Sequence, residues 1–447
     1  MSNSRRNFLK KTGIAGAGLA LSSPLMAMPA SSYKNIIGAN DRINVAIAGL
    51  GRRLGAFYDP ISRKESNVRL LYLCDVMESQ RLKAKEKFSK RIDYTPKLEN
   101  DINKVIEDSN VDVLINATPD HWHAPGSVMA IKAGKHVYVE KPCSHNMYEN
   151  ELLVQAAKKY NKVVQMGNQQ RSSFHSIEII NEIHNGVIGT PYKAVAFYNN
   201  KRGEVPVQKP AAVPDGLDWD LFQGPAPRRD YTEETWNYNW HWYGWNFGTA
   251  ESGNNGTHEL DLARWALQVG FPLSVNVEAE KRHFLDDGWE MYDTMEATFR
   301  FPENKIIEWD GKSRNAYNTY GSGRGCIIYG SEGTVFVNRD KHILYDRAGK
   351  VIKEFNSDSE ESGLALGGGG GMSTLHMLNF FDTIRGKAKL NAPIDDASLS
   401  MAMVHYCNIA YRIGKGFDID NKTGRMYDRD AMRLWSREYE PGWEVKL

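Results

Sequence analysis

Residues 42–50 read RINVAIAGL and run straight into Gly49-Leu50-Gly51-Arg52-Arg53-Leu54-Gly55. A short β-branched and apolar run of this kind is a strand buried on both faces, the condition of a strand in a parallel sheet covered by helices. Glycines at its carboxyl end let the chain turn tightly and bring backbone N–H groups against a pyrophosphate. The usual spacing is G-x-G-x-x-G. Here the third glycine stands one position late, and Leu54 occupies its place. Gly49, Gly51, Arg52 and Arg53 are therefore candidates to cradle a dinucleotide.

The segments that follow repeat the pattern. Residues 68–73 form a second apolar run ending in Cys74-Asp75, and Asp75 lies 24 residues after Gly51. That is near the distance expected for an acid that hydrogen-bonds the ribose hydroxyls. A carboxylate there repels the extra phosphate of NADP, and no Arg directly follows it, so NAD is expected rather than NADP. The other reading of Asp75 is a solvated cap of the next helix. A third strand at 111–117 leads into Thr118-Pro119-Asp120-His121-Trp122-His123, and a fourth at 136–139 leads into Glu140-Lys141-Pro142, with a helix at 125–133 between them. Alternation of this kind predicts an α/β fold with a doubly wound parallel sheet, whose ligand lies beyond the carboxyl ends of the strands. The glycine loop, Asp75, Thr118, Pro119, His123, Glu140 and Lys141 all fall at those ends.

Together with Gly256-Thr257-His258-Glu259-Leu260-Asp261, these motifs make the chain resemble the glucose–fructose oxidoreductase and inositol dehydrogenase (Gfo/Idh/MocA) family. The resemblance implies a Rossmann domain over 41–165 and an α+β substrate and oligomerisation domain over 166–447. The second domain would carry a large open, mainly antiparallel sheet whose outer face pairs with another subunit, giving a homo-oligomer. It also implies catalytic roles for Lys141 and His258 beside the nicotinamide, and a cis peptide before Pro142. The residue types agree with that chemistry. A His can take a hydroxyl proton near neutral pH, and a Lys can stabilise the alkoxide as it forms. Asp261, three residues after His258, can share its helix face and orient it. One departure stands out. The family often has Asp four residues before the His, and here that residue is Asn254, whose amide cannot act as a base. The proton relay must then differ, or His258 must act with Lys141 alone. Asn254 and Asp261 are grouped with the substrate-side residues.

Further along, a helix is expected at 148–160. An apolar strand then leads into Gln169-Gln170-Arg171, where Gln169 and Arg171 are candidates to bond sugar hydroxyls or, equally, plain loop polarity. Residues 236–247 read WNYNWHWYGWNF, which fits neither helical nor strand periodicity. Such a run can stack on the apolar faces of sugar rings or pack into a core or subunit interface. His241 and Tyr243 are its polar members of interest. Short alternating segments from 272 to 337 read as an antiparallel meander. The five glycines of 367–371 read as a flexible loop, and helices are expected at 372–384 and 397–414.

The first residues carry an address rather than a fold. Ser4-Arg5-Arg6-Asn7-Phe8-Leu9-Lys10-Lys11 precedes a short Ala/Gly-rich apolar stretch and small residues up to about 32. This resembles a twin-arginine signal, too short for an ordinary membrane span, so a periplasmic or otherwise exported protein is expected. Twin-arginine export carries folded proteins, which allows the cofactor to be loaded before export. Cys74, Cys143, Cys326 and Cys407 are too dispersed for a metal motif and read as unpaired and buried, although export leaves a disulfide open. A net charge of +1 without a dense Lys/Arg run argues against nucleic-acid binding. Three functions compete: an NAD-dependent sugar or glycoside oxidoreductase acting on a ring hydroxyl or ketone, with carbon 3 as one site; a glycosidase working by transient oxidation and elimination, as in the family's alpha-N-acetylgalactosaminidases, whose His/Tyr motif is not seen here; and a non-catalytic sugar-binding protein with a structural nucleotide.

Overall fold

The computed structural model describes residues 41–356 and 371–447. The signal at 1–32 and Gly367 to Gly370 of the glycine run lie outside them. Six parallel strands form the first sheet: β1 (Ile43–Ala48), β2 (Val68–Cys74), β3 (Lys97–Glu99), β4 (Val113–Asn116), β5 (His136–Val139) and β6 (Val164–Met166). Their order is β3-β2-β1-β4-β5-β6. Burial follows from the residue pattern of β1. Val45 and Ile47 enter the core on one side of the sheet, while Ala46 and Ala48 enter the core on the other. The chain runs outward from β1 to β3 and then restarts beside β1 at β4, so the carboxyl ends of β1 and β4 flank a topological switch point where a ligand can enter.

The helix expected from residue 125 begins earlier, at Asp120, and runs to Lys132. Pro125 has no N–H for the His121 carbonyl one turn back. Arg437 replaces it, donating to that carbonyl at 2.7 Å, and the proline sits inside the helix without leaving an orphan.

The second sheet has nine strands: β7 (Pro191–Asn199), β8 (Ser274–Glu280), β9 (Thr294–Arg300), β10 (Ile306–Lys312), β11 (Arg324–Gly330), β12 (Gly333–Val337), β13 (Lys341–Asp346), β14 (Val351–Asn356) and β15 (Phe417–Asp418), in the order β14-β13-β12-β11-β7-β10-β9-β8-β15. Every pair is antiparallel except β7–β10. The segments expected to form a meander match β8 to β12, but β7 inserts between β10 and β11 and breaks the meander there. The central strand β7 is buried along Ala194–Asn199 and so lacks the alternation that would mark it in the sequence. Helices Thr257–Leu267 and Ile394–Ile413 pack on this sheet. Helix Gly371–Ile384 returns to the first sheet, where Met377, Phe380 and Phe381 join the core around Val45 and Ile47. The four cysteines are unpaired and buried. Among the described residues no helix is long and apolar enough to cross a membrane.

Candidate active site

A cleft of about 570 Å³ opens at the carboxyl ends of β1 and β4. Gly49, Gly51, Arg52, Arg53, Asp75, Thr118, Pro119, His123, Glu140 and Lys141 all line it, so every residue expected to hold the cofactor faces one space. Gly49 has φ +87°, and a side chain there would run into the Ala117 carbonyl and the Thr118 amide, so only glycine fits. Gly51 is the opposite case: nothing lies within 4 Å of where a Cβ would be, which leaves backbone open to a ligand. Leu54, in the place of the usual third glycine, is buried in the core beneath the loop.

Asp75 accepts from the Leu50 amide at 2.7 Å and from the Met77 amide at 2.9 Å. It thus ties the glycine loop to the start of the next helix. It lines the cleft, and it is not the solvated cap of the following helix, whose N-cap is Met77. Arg53 is paired with Glu140 at 2.7 Å, and Gln169 donates to the same carboxylate at 3.1 Å. His123 bonds the Pro142 carbonyl through Nδ1 at 2.6 Å. Its Nε2 and the Gln170 Oε1 are buried at the cleft wall with no hydrogen-bond partner among the described residues.

The Lys141–Pro142 peptide is cis. Lys141 Nζ donates to the Asn254 backbone carbonyl at 2.5 Å and to its side-chain oxygen at 3.3 Å. Burial lowers the Lys141 ammonium to about 8, against the pull of Asp120 and Glu140. Asp120 is the nearest acid in effect. Burial raises its carboxyl to about 7, opposed by a 2.6 Å hydrogen bond from Thr249 Oγ1 and by the charge of Lys141. A π-helical turn, Ser252–Gly256, presents Asn254 and runs directly into helix Thr257–Leu267; such turns cluster at functional sites. Asn254 Nδ2 donates to Glu251 at 3.4 Å while its oxygen faces Lys141. An amide can do both; a carboxylate would meet Glu251 with like charge. His258 lines the cleft, and among the described residues neither of its ring nitrogens has a hydrogen-bond partner. Burial, with Arg339 and Lys141 behind it, holds its imidazole well below the usual value, so it is neutral.

Asp261 does not orient His258. It is 3% exposed and accepts two bonds of 2.8 Å from Arg171 and one of 2.6 Å from Ser400. The bidentate guanidinium claims the carboxylate, so neither Arg171 nor Asp261 reaches the cleft as a sugar ligand. Tyr243 is also corrected: its hydroxyl donates to the Pro206 carbonyl at 2.7 Å from a buried ring. The aromatic run divides. Trp242 stacks on Trp289 in the core at 3.8 Å, whereas Trp236, Tyr238, Trp240 and His241 line the cleft. His241 stacks on Trp240 at 3.6 Å and bonds the Tyr238 carbonyl at 2.7 Å. The sequence reading did not find Asp120, Arg202, Arg324 or Arg339 in the cleft wall. Asp120 stood in a quoted motif; the arginines sit at strand ends with no local pattern to mark them.

Comparison with known proteins bears on this geometry. Residues 43–168 match an oxidoreductase family with an NAD-binding Rossmann fold, and residues 178–333 match the C-terminal alpha/beta domain of the same family. The chain belongs to the Gfo/Idh/MocA oxidoreductase family. Among Gfo/Idh/MocA relatives, a glycosyl hydrolase family 109 protein of Shewanella baltica is 27% identical over 209 residues, 43% of this chain and 45% of its own. An alpha-N-acetylgalactosaminidase of Shewanella oneidensis is 26% identical over 212 residues, with 43% and 45% covered. The matched region thus spans less than half the length of these relatives. The structure of aldose–aldose oxidoreductase from Caulobacter crescentus has the same fold, with TM-score 0.62 and 18% identity over 85% of this chain and all of that one. NAD is the cofactor of this Gfo/Idh/MocA fold, and the residues present fit it. Gly51 leaves backbone open to a ligand, Asp75 presents a carboxylate to the same cleft, and His123 Nε2 and Gln170 Oε1, without a partner among the described residues, lie at its wall.

Proposed function

We propose that this protein oxidises a ring hydroxyl, or reduces a ring ketone, of a sugar or glycoside with a tightly held NAD, with carbon 3 the first position to test. The observation that carries this reading is the meeting of Lys141, His258 and Asp120 around one cleft. NAD, when bound, supplies the nicotinamide carbon that exchanges hydride with the sugar carbon. The chain's residues then have to handle the oxygen and its proton. The Lys141 ammonium, now spent on Asn254, donates to the sugar oxygen and stabilises negative charge there as the C–H bond breaks. Neutral His258 receives the hydroxyl proton, leaving a ketone. Asp120 stands beside Lys141 in place of the carboxylate that Asn254 lacks, and its negative charge favours the protonated ammonium that the sugar oxygen needs. Trp236, Tyr238 and Trp240 offer apolar ring faces to the sugar, and Gln169, His241 and Asn254 polar contacts to its hydroxyls.

The similarity to glycosyl hydrolase family 109 proteins favours a second reading. The same oxidation would acidify the neighbouring C–H, an aglycone would be eliminated, water would add, and the ketone would be reduced again. We further propose export by the twin-arginine route, on the pattern of residues 4–32, and association of copies through the outer face of the nine-stranded sheet. Purified protein should carry NAD, and a cognate glycoside should change its nicotinamide absorbance and give a keto-sugar by mass spectrometry. Aglycone release with no net nicotinamide change would select the glycosidase. Binding of both NAD and sugar with neither signal would leave only a non-catalytic binding protein.

A further inference from the structure

Arg339 lies in the turn between β12 and β13 and lines the same cleft as Lys141 and His258. The other arginines of the wall have partners. Arg53 is 2.7 Å from Glu140, Arg202 is 2.9 Å from Glu251, and Arg324 Nε donates to Glu259 at 2.7 Å. Arg52, in the glycine loop, lays its guanidinium 3.8 Å over the Tyr238 ring. The Arg339 guanidinium has no ion-pair or hydrogen-bond partner among the described residues; its backbone carbonyl alone is bonded, by His175 at 2.9 Å. Burial pushes this guanidinium down to about 9, with the charge of Arg324 adding to the effect. The charge of Glu259 acts on this cation, but Glu259 itself is bonded to Arg324, so the half-buried Arg339 fork is left facing the space where a substrate must sit.

It comes from a different part of the fold than the nucleotide loop. The glycine loop and Arg52 belong to β1 and the first sheet, whereas Arg339 and Arg324 belong to the second sheet, and Arg339 is the first of the cations whose charge acts on His258. We propose that Arg339, backed by Arg324, is an oxyanion anchor, and that the substrate is an acidic sugar bearing a carboxylate, sulfate or phosphate group. The inference rests on the sugar reading above and narrows it. A planar guanidinium fork fits such an oxyanion through two parallel N–H···O bonds. One acidic group would fix the ring's orientation and so decide which hydroxyl meets Lys141.

The test compares a glucoside with the matched glucuronide, 6-sulfate and 6-phosphate on the NAD-loaded protein. Affinity is read by calorimetry and turnover by nicotinamide absorbance, in the parent, Arg339→Gln and Arg339→Lys. At least one acidic sugar is expected to bind roughly 10- to 100-fold more tightly than the neutral one, and the arm that does so names the oxyanion. Arg339→Gln should erase that advantage while neutral-sugar affinity and NAD content stay unchanged. Arg339→Lys, which keeps the charge without the fork, should retain part of it, and it decides the matter if the Gln variant fails to fold. Equal affinity for neutral and acidic sugars, unaltered by either substitution, overturns the anchor but leaves the sugar reading standing. Loss of NAD from the Arg339 variants overturns it too, by making Arg339 a diphosphate ligand. If no sugar of either charge binds while NAD is retained, the sugar reading itself falls.

Discussion

Lys141 Nζ donates to Asn254 twice, at 2.5 Å to the backbone carbonyl and at 3.3 Å to the side-chain oxygen. The bond joins the end of the fourth sequence-predicted strand to a π-helical turn more than a hundred residues away, just ahead of His258. Gly253 makes the approach possible, since a side chain there would strike Thr249, the residue that holds Asp120, and would touch Pro142. The ammonium is thereby parked on a neutral amide that a sugar hydroxyl can displace.

Replacing Lys141 with Ala should lower turnover by about two to four orders of magnitude, with the fold and bound NAD intact. Steady-state rates and the nucleotide released on denaturation check this together. Turnover near the parent level would remove Lys141 from the chemistry.

Asp120 and Lys141 fix the expected pH profile. Burial puts the Asp120 carboxyl at about 7 and the Lys141 ammonium at about 8. Oxidation should rise as Asp120 loses its proton and fall as Lys141 loses its own, giving a narrow maximum between them. Asp120→Asn should flatten the acid limb and cost about a hundredfold in rate. A profile with the same acid limb in the variant would assign that limb to another group.

Asp75→Ala should weaken NAD retention for two reasons: the ribose loses its acceptor, and the Leu50 and Met77 amides lose the carboxylate that shapes the loop. Equilibrium dialysis of the purified variant measures it. Unchanged retention would move the ribose elsewhere.

The Arg171–Asp261 pair concerns stability rather than chemistry. Burial alone would raise the Asp261 carboxyl, but Arg171 holds it below the ordinary carboxylate value. Its contribution is therefore fully present above the unfolded value of about 3.9 and is lost as pH falls through the lower folded value. Asp261→Ala should cost about 3–5 kcal/mol in urea unfolding, because Arg171 keeps only the more exposed Asp396, which Arg264 already shares. A drop in sugar affinity without loss of stability would return Asp261 to the cleft.

The nucleotide side of this site was legible because its residues are local: each follows the carboxyl end of an apolar strand, and the strand order brings those ends together. The substrate side was legible only where a motif carried it, as with His258. Asp261 was misread because helical spacing says which residues are near one another on a helix but not which neighbour a buried carboxylate will bond, and Arg171 arrives from 90 residues away. Tyr243 was misread because a run of aromatics does not tell which rings turn inward, and here Trp242 and Tyr243 do. Arg324 and Arg339 reach the cleft through the register of the second sheet, which no short stretch of sequence encodes.

The central claim is that Lys141 and His258 meet over the nicotinamide of a bound NAD. Its most direct measurement is a crystal structure of the purified protein with its nucleotide in place. The account expects the diphosphate against Gly49 and Gly51, the ribose at Asp75, and the nicotinamide C4 facing both Lys141 Nζ and the His258 ring across a space the size of one sugar. A nicotinamide ring lying away from either side chain, or a nucleotide bound outside this cleft, would contradict it.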